Sequence, residues 1–237
     1  MTKKTGITSI VCLVFTILWI ILMIAFIAGA RELKTLEDAV YLASSRGTLY
    51  YLSFINAVCV TVAATVFFAY LYQDIKKHYS GAALAGMAFI PVYCAINLFV
   101  YSSQITIVPI LASHADSQYS DIYKVILGQF VQGWPGSTVW VLNQLGYAVL
   151  GIPSIVFGVL LIKHIAGAKP GGVLLSLNGA ACIAGVAGIV FKNTLLMMGS
   201  VVGGVLFLFA LIAIAVAAFR QRVTGEGLSV DFSTRLE

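Results

Sequence analysis

Six long apolar stretches fill nearly all of this 237-residue chain, and no aspartate or glutamate falls inside any of them. They run over residues 7–29, 50–72, 81–101, 139–162, 173–191 and 195–218. A helix needs about 20 apolar residues to cross the hydrocarbon of a bilayer, and each run supplies them. A transmembrane β-barrel would show alternating segments of about ten residues, and these runs do not alternate. The expected fold is all-α: a polytopic membrane protein with six transmembrane helices in a single domain. Composition agrees, since 60% of residues are hydrophobic, 10% are charged and the mean hydropathy is +1.00, whereas about 25% of a soluble domain is charged.

Orientation follows from the basic residues, because positively charged loops stay in the cytoplasm. One side collects Lys3, Lys4, Lys76, Lys77, Lys163, Lys169, Arg220, Arg222 and Arg235; the other has Arg31, Lys34, Arg46, Lys124 and Lys192. Both termini are therefore expected inside, in a prokaryotic cytoplasmic membrane. The formal charge of +5 then reflects topology and attraction to membrane lipid, with no nucleic-acid partner implied. The first run follows Lys3 and Lys4 and ends in Ala28, Gly29 and Ala30, the A-x-A pattern of a signal peptide, but it exceeds the 7–15 residues of a signal core. It is expected to remain as the first helix. Residues 236–237 read as a cloning remnant.

Short inner connections make the second and third spans one antiparallel hairpin and the fourth and fifth another. The outer segments 30–49 and 113–136 are longer. Within the first, Leu33, Leu36, Val40 and Ala43 recur at helical spacing; within the second, Ile122, Val125, Ile126 and Phe130 do the same. Both are expected to be amphipathic helices that lie at the outer interface or fold over the bundle. The third span continues past Tyr101 with Pro91 and Pro109 inside it, so it either kinks or breaks, since proline removes a backbone donor and clashes one turn back.

The polar residues inside the spans are amides, hydroxyls and aromatics. Trp140, Asn143, Gln144 and Tyr147 share a face of the fourth span, and Tyr93, Asn97, Tyr101 and Gln104 share a face of the third. Asn56 adds an amide from the second. Amides between membrane helices commonly serve as interhelical hydrogen bonds, but two matched stripes also suit a cavity open to the outside. Lys192, in the short outer link before the last span, reads as an interface lysine; pointed inward, it would bind an anionic headgroup or carboxylate. These ten residues are the candidate ligand contacts.

No cofactor, metal or catalytic residue is expected. His78, His114 and His164 lie in connections, and Cys12, Cys59, Cys94 and Cys182 sit in four different spans with no paired spacing. Ion-coupled transport relies on buried carboxylates, which the runs lack, and no H-E-x-x-H or G-x-S-x-G motif is present. Gly199 and Gly203 form G-x-x-x-G, a motif that serves either packing within the last hairpin or self-association into a homo-oligomer. The stretch 151–188, with a proline-containing helix, a basic turn ending in Lys169, Pro170 and Gly171, and a helix rich in Leu, Gly and Ala, resembles the later hairpin of uncharacterised prokaryotic six-helix membrane families. That resemblance implies the fold and carries no catalytic signature.

The expected function is binding of a small amphipathic or lipid-like molecule in an outward-facing polar and aromatic cavity between the second, third and fourth spans, as a carrier, sensor or facilitator without ion coupling. A membrane scaffold or assembly partner is the alternative. A lipid-modifying enzyme ranks third, for want of an acid-base constellation.

Overall fold

The structure is a computed structural model that describes residues 1–29, 33–114 and 120–226. Six helical runs are long and apolar enough to cross a membrane: Lys3–Phe26, Thr48–Ile75, Ser80–Ser113, Thr138–His164, Lys169–Val190 and Thr194–Arg220. In chain order the helices are α1 (Lys3–Gly29), α2 (Leu36–Ser44), α3 (Thr48–Ile75), α4 (Ser80–Met87), α5 (Ile90–Ile105) and α6 (Ile107–Ser113). They continue with α7 (Ser120–Phe130), α8 (Thr138–His164), α9 (Lys169–Val190), α10 (Thr194–Met197) and α11 (Gly199–Glu226). The spans form a closed ring in which α1, α3, α5, α8, α9 and α11 each pack on the next, and α11 returns to α1.

Large aromatic and aliphatic side chains, among them Phe67, Phe68, Phe157, Leu211 and Ile214, are fully buried in this ring, while Ile21, Ile24, Leu177, Val201 and Phe209 point outward and are exposed. Such outward leucines and valines would be a liability in water. Against lipid tails they cost nothing, and the remaining cohesion comes from close packing and internal hydrogen bonds.

The third span is broken twice, each time at a proline. α4 ends at Met87, four residues before Pro91, and α5 ends at Ile105, four residues before Pro109. The proline ring collides with the carbonyl at that position, so the sequence pattern marks both joints. Pro153, by contrast, lies inside an uninterrupted α8.

Two helix pairs approach to backbone contact through glycines. A Cβ built on Gly158 would lie 2.6 Å from the Gly172 carbonyl oxygen, and one on Gly151 would lie 2.6 Å from that of Gly179. The α8–α9 seam is thus two glycine-on-glycine contacts, seven residues apart on each helix. On the other side of α9, a Cβ on Gly199 would meet Gly185 N at 2.8 Å and one on Gly203 would meet Cys182 Sγ at 2.5 Å. Asn178 Nδ2 also donates to Gly203 O at 2.9 Å. The G-x-x-x-G face is therefore turned into the α9–α11 hairpin of the same chain.

α1 closes the ring. Ser9 Oγ donates to Leu211 O at 2.7 Å on α11. On the α3 side, Asp74 takes three donors: Thr2 N at 2.8 Å, Thr2 Oγ1 at 3.3 Å and Thr5 Oγ1 at 2.7 Å. Asp74 is only 6% exposed. The apolar run that marks the second span ends at Tyr72, but α3 continues to Ile75 and carries the carboxylate against the N-terminus of α1, where helix-end amides and the macrodipole favour negative charge.

At the outer end α2, α6 and α7 pack on one another. A capping box starts α2: Asp38 N donates to Thr35 Oγ1 at 3.2 Å and Thr35 N donates to Asp38 Oδ2 at 2.9 Å. Ala39, Ala43, Val108 and Leu127 are buried beneath this cap. α7 presses Gly128 on Leu36, and the stripe Ile122, Val125 and Ile126 is left exposed. Contact through a glycine brings the helices closest along its small face, so the larger apolar stripe turns outward.

Candidate functional site

The polar faces of α5 and α8 do meet. Tyr101 Oη and Tyr147 Oη lie 2.7 Å apart, and Asn97 Nδ2 donates to Tyr93 O at 3.1 Å. Asn97 fits because Gly146 faces it from α8 without a side chain. Asn97 Oδ1, Asn143 Oδ1 and Gln144 Oε1 are buried oxygens without a hydrogen-bond partner. Both asparagine oxygens are acceptors, so this seam favours a group that donates hydrogen bonds, whereas Gln144 stands one heptad before Gly151 on the face of α8 turned to α9.

Other candidate residues have structural work. Gln104 Oε1 accepts from Tyr50 Oη at 3.3 Å and from Gln132 N at 3.1 Å, while Nε2 donates to Phe130 O at 2.8 Å, Ser103 Oγ at 3.0 Å and Val100 O at 3.3 Å. It joins α3 and α5 to the chain leaving α7 and offers no open polar atom. Asn56 Nδ2 donates to Phe15 O at 3.0 Å, tying α3 to α1. Trp140 stands half-buried in the first turn of α8, behind the Ser137 cap.

Lys192 is exposed and has φ 52°. Asn193 N donates to Gly188 O at 2.8 Å and Lys192 N donates to Ile189 O at 3.2 Å, the two bonds of a Schellman ending on α9. The lysine occupies the left-handed position usually held by glycine, where an L side chain costs about 1–2 kcal/mol. Its charge belongs to the surface turn. Lys192→Gly is expected to raise stability by about 0.5–1 kcal/mol, read as a higher thermal midpoint in detergent; a lower midpoint would show that the side chain itself is needed.

On the ring axis lies a cavity of about 60 Å³ walled by Thr16, Trp19, Thr61, Tyr93, Tyr101, Tyr147 and Gly204, among others. Three of the ten candidate residues line it. On its inner side Phe67, Phe68, Phe157 and Phe207 form an aromatic plug, with Phe68 and Phe207 stacked at 6.2 Å and 11°. The space holds about two waters and falls well short of the ~300 Å³ that an organic ligand requires.

A recess of that size sits at the outer end instead. A cleft of about 330 Å³ opens between the end of α1, α2 and the start of α3, lined by Phe26, Leu33, Leu42, Leu49, Tyr41 and Tyr50, with Asp38, Ser45 and Arg46 as its polar side. Arg46 is braced by Nε donation to Tyr51 Oη at 3.2 Å and by a bond to Ala43 O. Sequence reading placed the site between the second, third and fourth spans and included none of these residues. Their one signal was the amphipathic pattern of α2, which walls the cleft together with the end of α1 and the start of α3.

Ring, cap and closed axis define a six-span helical membrane protein. No protein-family model matches the chain, and neither a curated protein nor a solved structure does.

Proposed function

We propose that this protein binds a small amphipathic, lipid-like molecule from the outer side of a prokaryotic cytoplasmic membrane, as a carrier, sensor or facilitator without ion coupling. The reading is carried by the outer cleft: its volume suits an acyl or aromatic fragment, its walls are apolar and aromatic, and Arg46 stands at one side for a polar or anionic head. The amide seam between α5 and α8 lies behind it, linked through Tyr50 and Gln104. Lack of ion coupling is favoured because Asp74, the one carboxylate buried among the described residues, already satisfies three donors of its own chain.

The test is native mass spectrometry of the protein extracted with its own lipids. Leu42→Trp, which fills the cleft, is expected to remove a co-purifying amphiphile, and Arg46→Gln is expected to weaken anionic species about tenfold relative to neutral ones. Unchanged occupancy in Leu42→Trp would remove the cleft from consideration. A second reading, a membrane assembly partner, is favoured by the aromatic plug that closes the axis; it expects stoichiometric co-purification of another membrane protein and no retained amphiphile.

A further inference from the structure

The inner face holds a second recess, of about 380 Å³, that the outer binding reading does not use. Thr2, Asp74, Lys77, His78 and His164 contribute to its lining. Three separate pieces of chain meet there because the connections are tight: α3 passes to α4 through 76–79, and α8 passes to α9 through 165–168, where Gly167 turns with φ 81°. His164 is held by stacking on Tyr79, with ring centroids 4.2 Å apart and planes at 27°. Neighbouring lysines are drawn elsewhere: Lys4 lies over the Tyr70 ring at 5.9 Å and Lys76 over the Tyr72 ring at 5.4 Å.

The recess contains one carboxylate, and its Oδ2 is turned to Thr2 and Thr5 by three hydrogen bonds. Lys77, His78 and His164 supply ring and ammonium N–H donors from two directions. An ammonium and imidazoles converging on a pocket of this volume match a ligand with several strong acceptor oxygens and negative charge. The location at the level of the inner headgroups adds the attraction of a basic face for anions. We propose that this recess binds a phosphate-bearing anion. The same chemistry is presented by the headgroup of an anionic phospholipid and by a soluble phosphate.

The experiment uses the full chain in nanodiscs. Retention of phosphatidylglycerol is compared with that of phosphatidylcholine by native mass spectrometry, with and without added inorganic phosphate. Lys77→Gln, an exposed position that leaves packing intact, and separately His78→Gln, are expected to reduce phosphatidylglycerol retention or phosphate-induced thermal stabilisation about tenfold in apparent affinity. Lys169→Gln, on the same face but outside the recess, is expected to leave both unchanged. Selective phosphatidylglycerol retention that survives inorganic phosphate identifies a headgroup; competition by phosphate, or stabilisation by phosphate in pure phosphatidylcholine, identifies a soluble anion. The proposal is overturned if neither probe is preferred, or if Lys169→Gln weakens binding as much as Lys77→Gln, since diffuse surface charge would then account for it.

Discussion

Gly158→Leu is expected to leave little or no folded, monodisperse protein in fluorescence-detected size exclusion. The first added carbon would stand 2.6 Å from the Gly172 carbonyl oxygen and 2.8 Å from Ser176 N. Those atoms belong to helical backbone and cannot swing aside as a side-chain tip can. α9 would have to lift from α8, and the companion contact between Gly151 and Gly179 would open with it. Overpacking by single methylenes costs about 1–3 kcal/mol, and here four carbons meet backbone, so the penalty exceeds that range. In a bilayer no hydrophobic gain rescues a separated pair, because lipid tails replace the lost neighbour without bringing the helices together. The control is Gly204→Ala. Its Cβ meets nothing within 4 Å, and it is expected to match or exceed the wild type by up to about 1 kcal/mol from helix propensity. A sharp, wild-type-like peak for Gly158→Leu would mean that the two helices do not touch through their glycines.

Asp74→Ala is the second large effect. It removes an acceptor that serves Thr2 N, Thr2 Oγ1 and Thr5 Oγ1, and leaves the buried Thr5 hydroxyl without its carboxylate. Charged hydrogen bonds contribute about 1.5–3 kcal/mol, and a stranded buried donor adds to the loss, so a fall of about 2–4 kcal/mol is expected. Thr5→Val, which deletes one bond of the three, is expected to lose about 1 kcal/mol. Thermal unfolding measures both, and a cysteine introduced as Lys3→Cys reports locally: thiol labelling there is expected to accelerate in Asp74→Ala. Equal labelling rates with and without Asp74 would mean that the carboxylate does not hold the N-terminal segment.

The membrane fold was legible because bilayer thickness imposes a length that six runs satisfy independently. Pro91 and Pro109 likewise announced both breaks of the third span, since the collision involves residues four positions away. The Tyr93, Tyr101 and Tyr147 cluster was legible from spacing on two helices that the topology makes neighbours. Gln104 had the same spacing and a different use, because its partners, Phe130 O and Gln132 N, lie beyond a long loop whose path no periodicity reveals. The burial of Asp74 is hidden from a linear reading for a related reason. Apolar character fades at Tyr72, but α3 keeps winding to Ile75, and the groups that make burial of the carboxylate tolerable, Thr2 and Thr5, come from N-terminal residues 72 and 69 positions away. The outer cleft depends on where α2 comes to lie, which the amphipathic pattern leaves open.

Closure of the ring between the first and last spans has a consequence for biogenesis. α1 is synthesised first, yet one of its two neighbours, α11, is synthesised last. Throughout translation that flank of α1 must be covered by lipid or by the insertion machinery, and the Ser9 bond to Leu211 cannot form until the end. The Asp74 contact becomes available much earlier, once α3 has emerged, and keeps α1 in place while four further spans are added. Assembly thus has a clasp at its start and a seal at its finish, and a chain truncated before α11 would expose a helix flank open to proteolytic quality control.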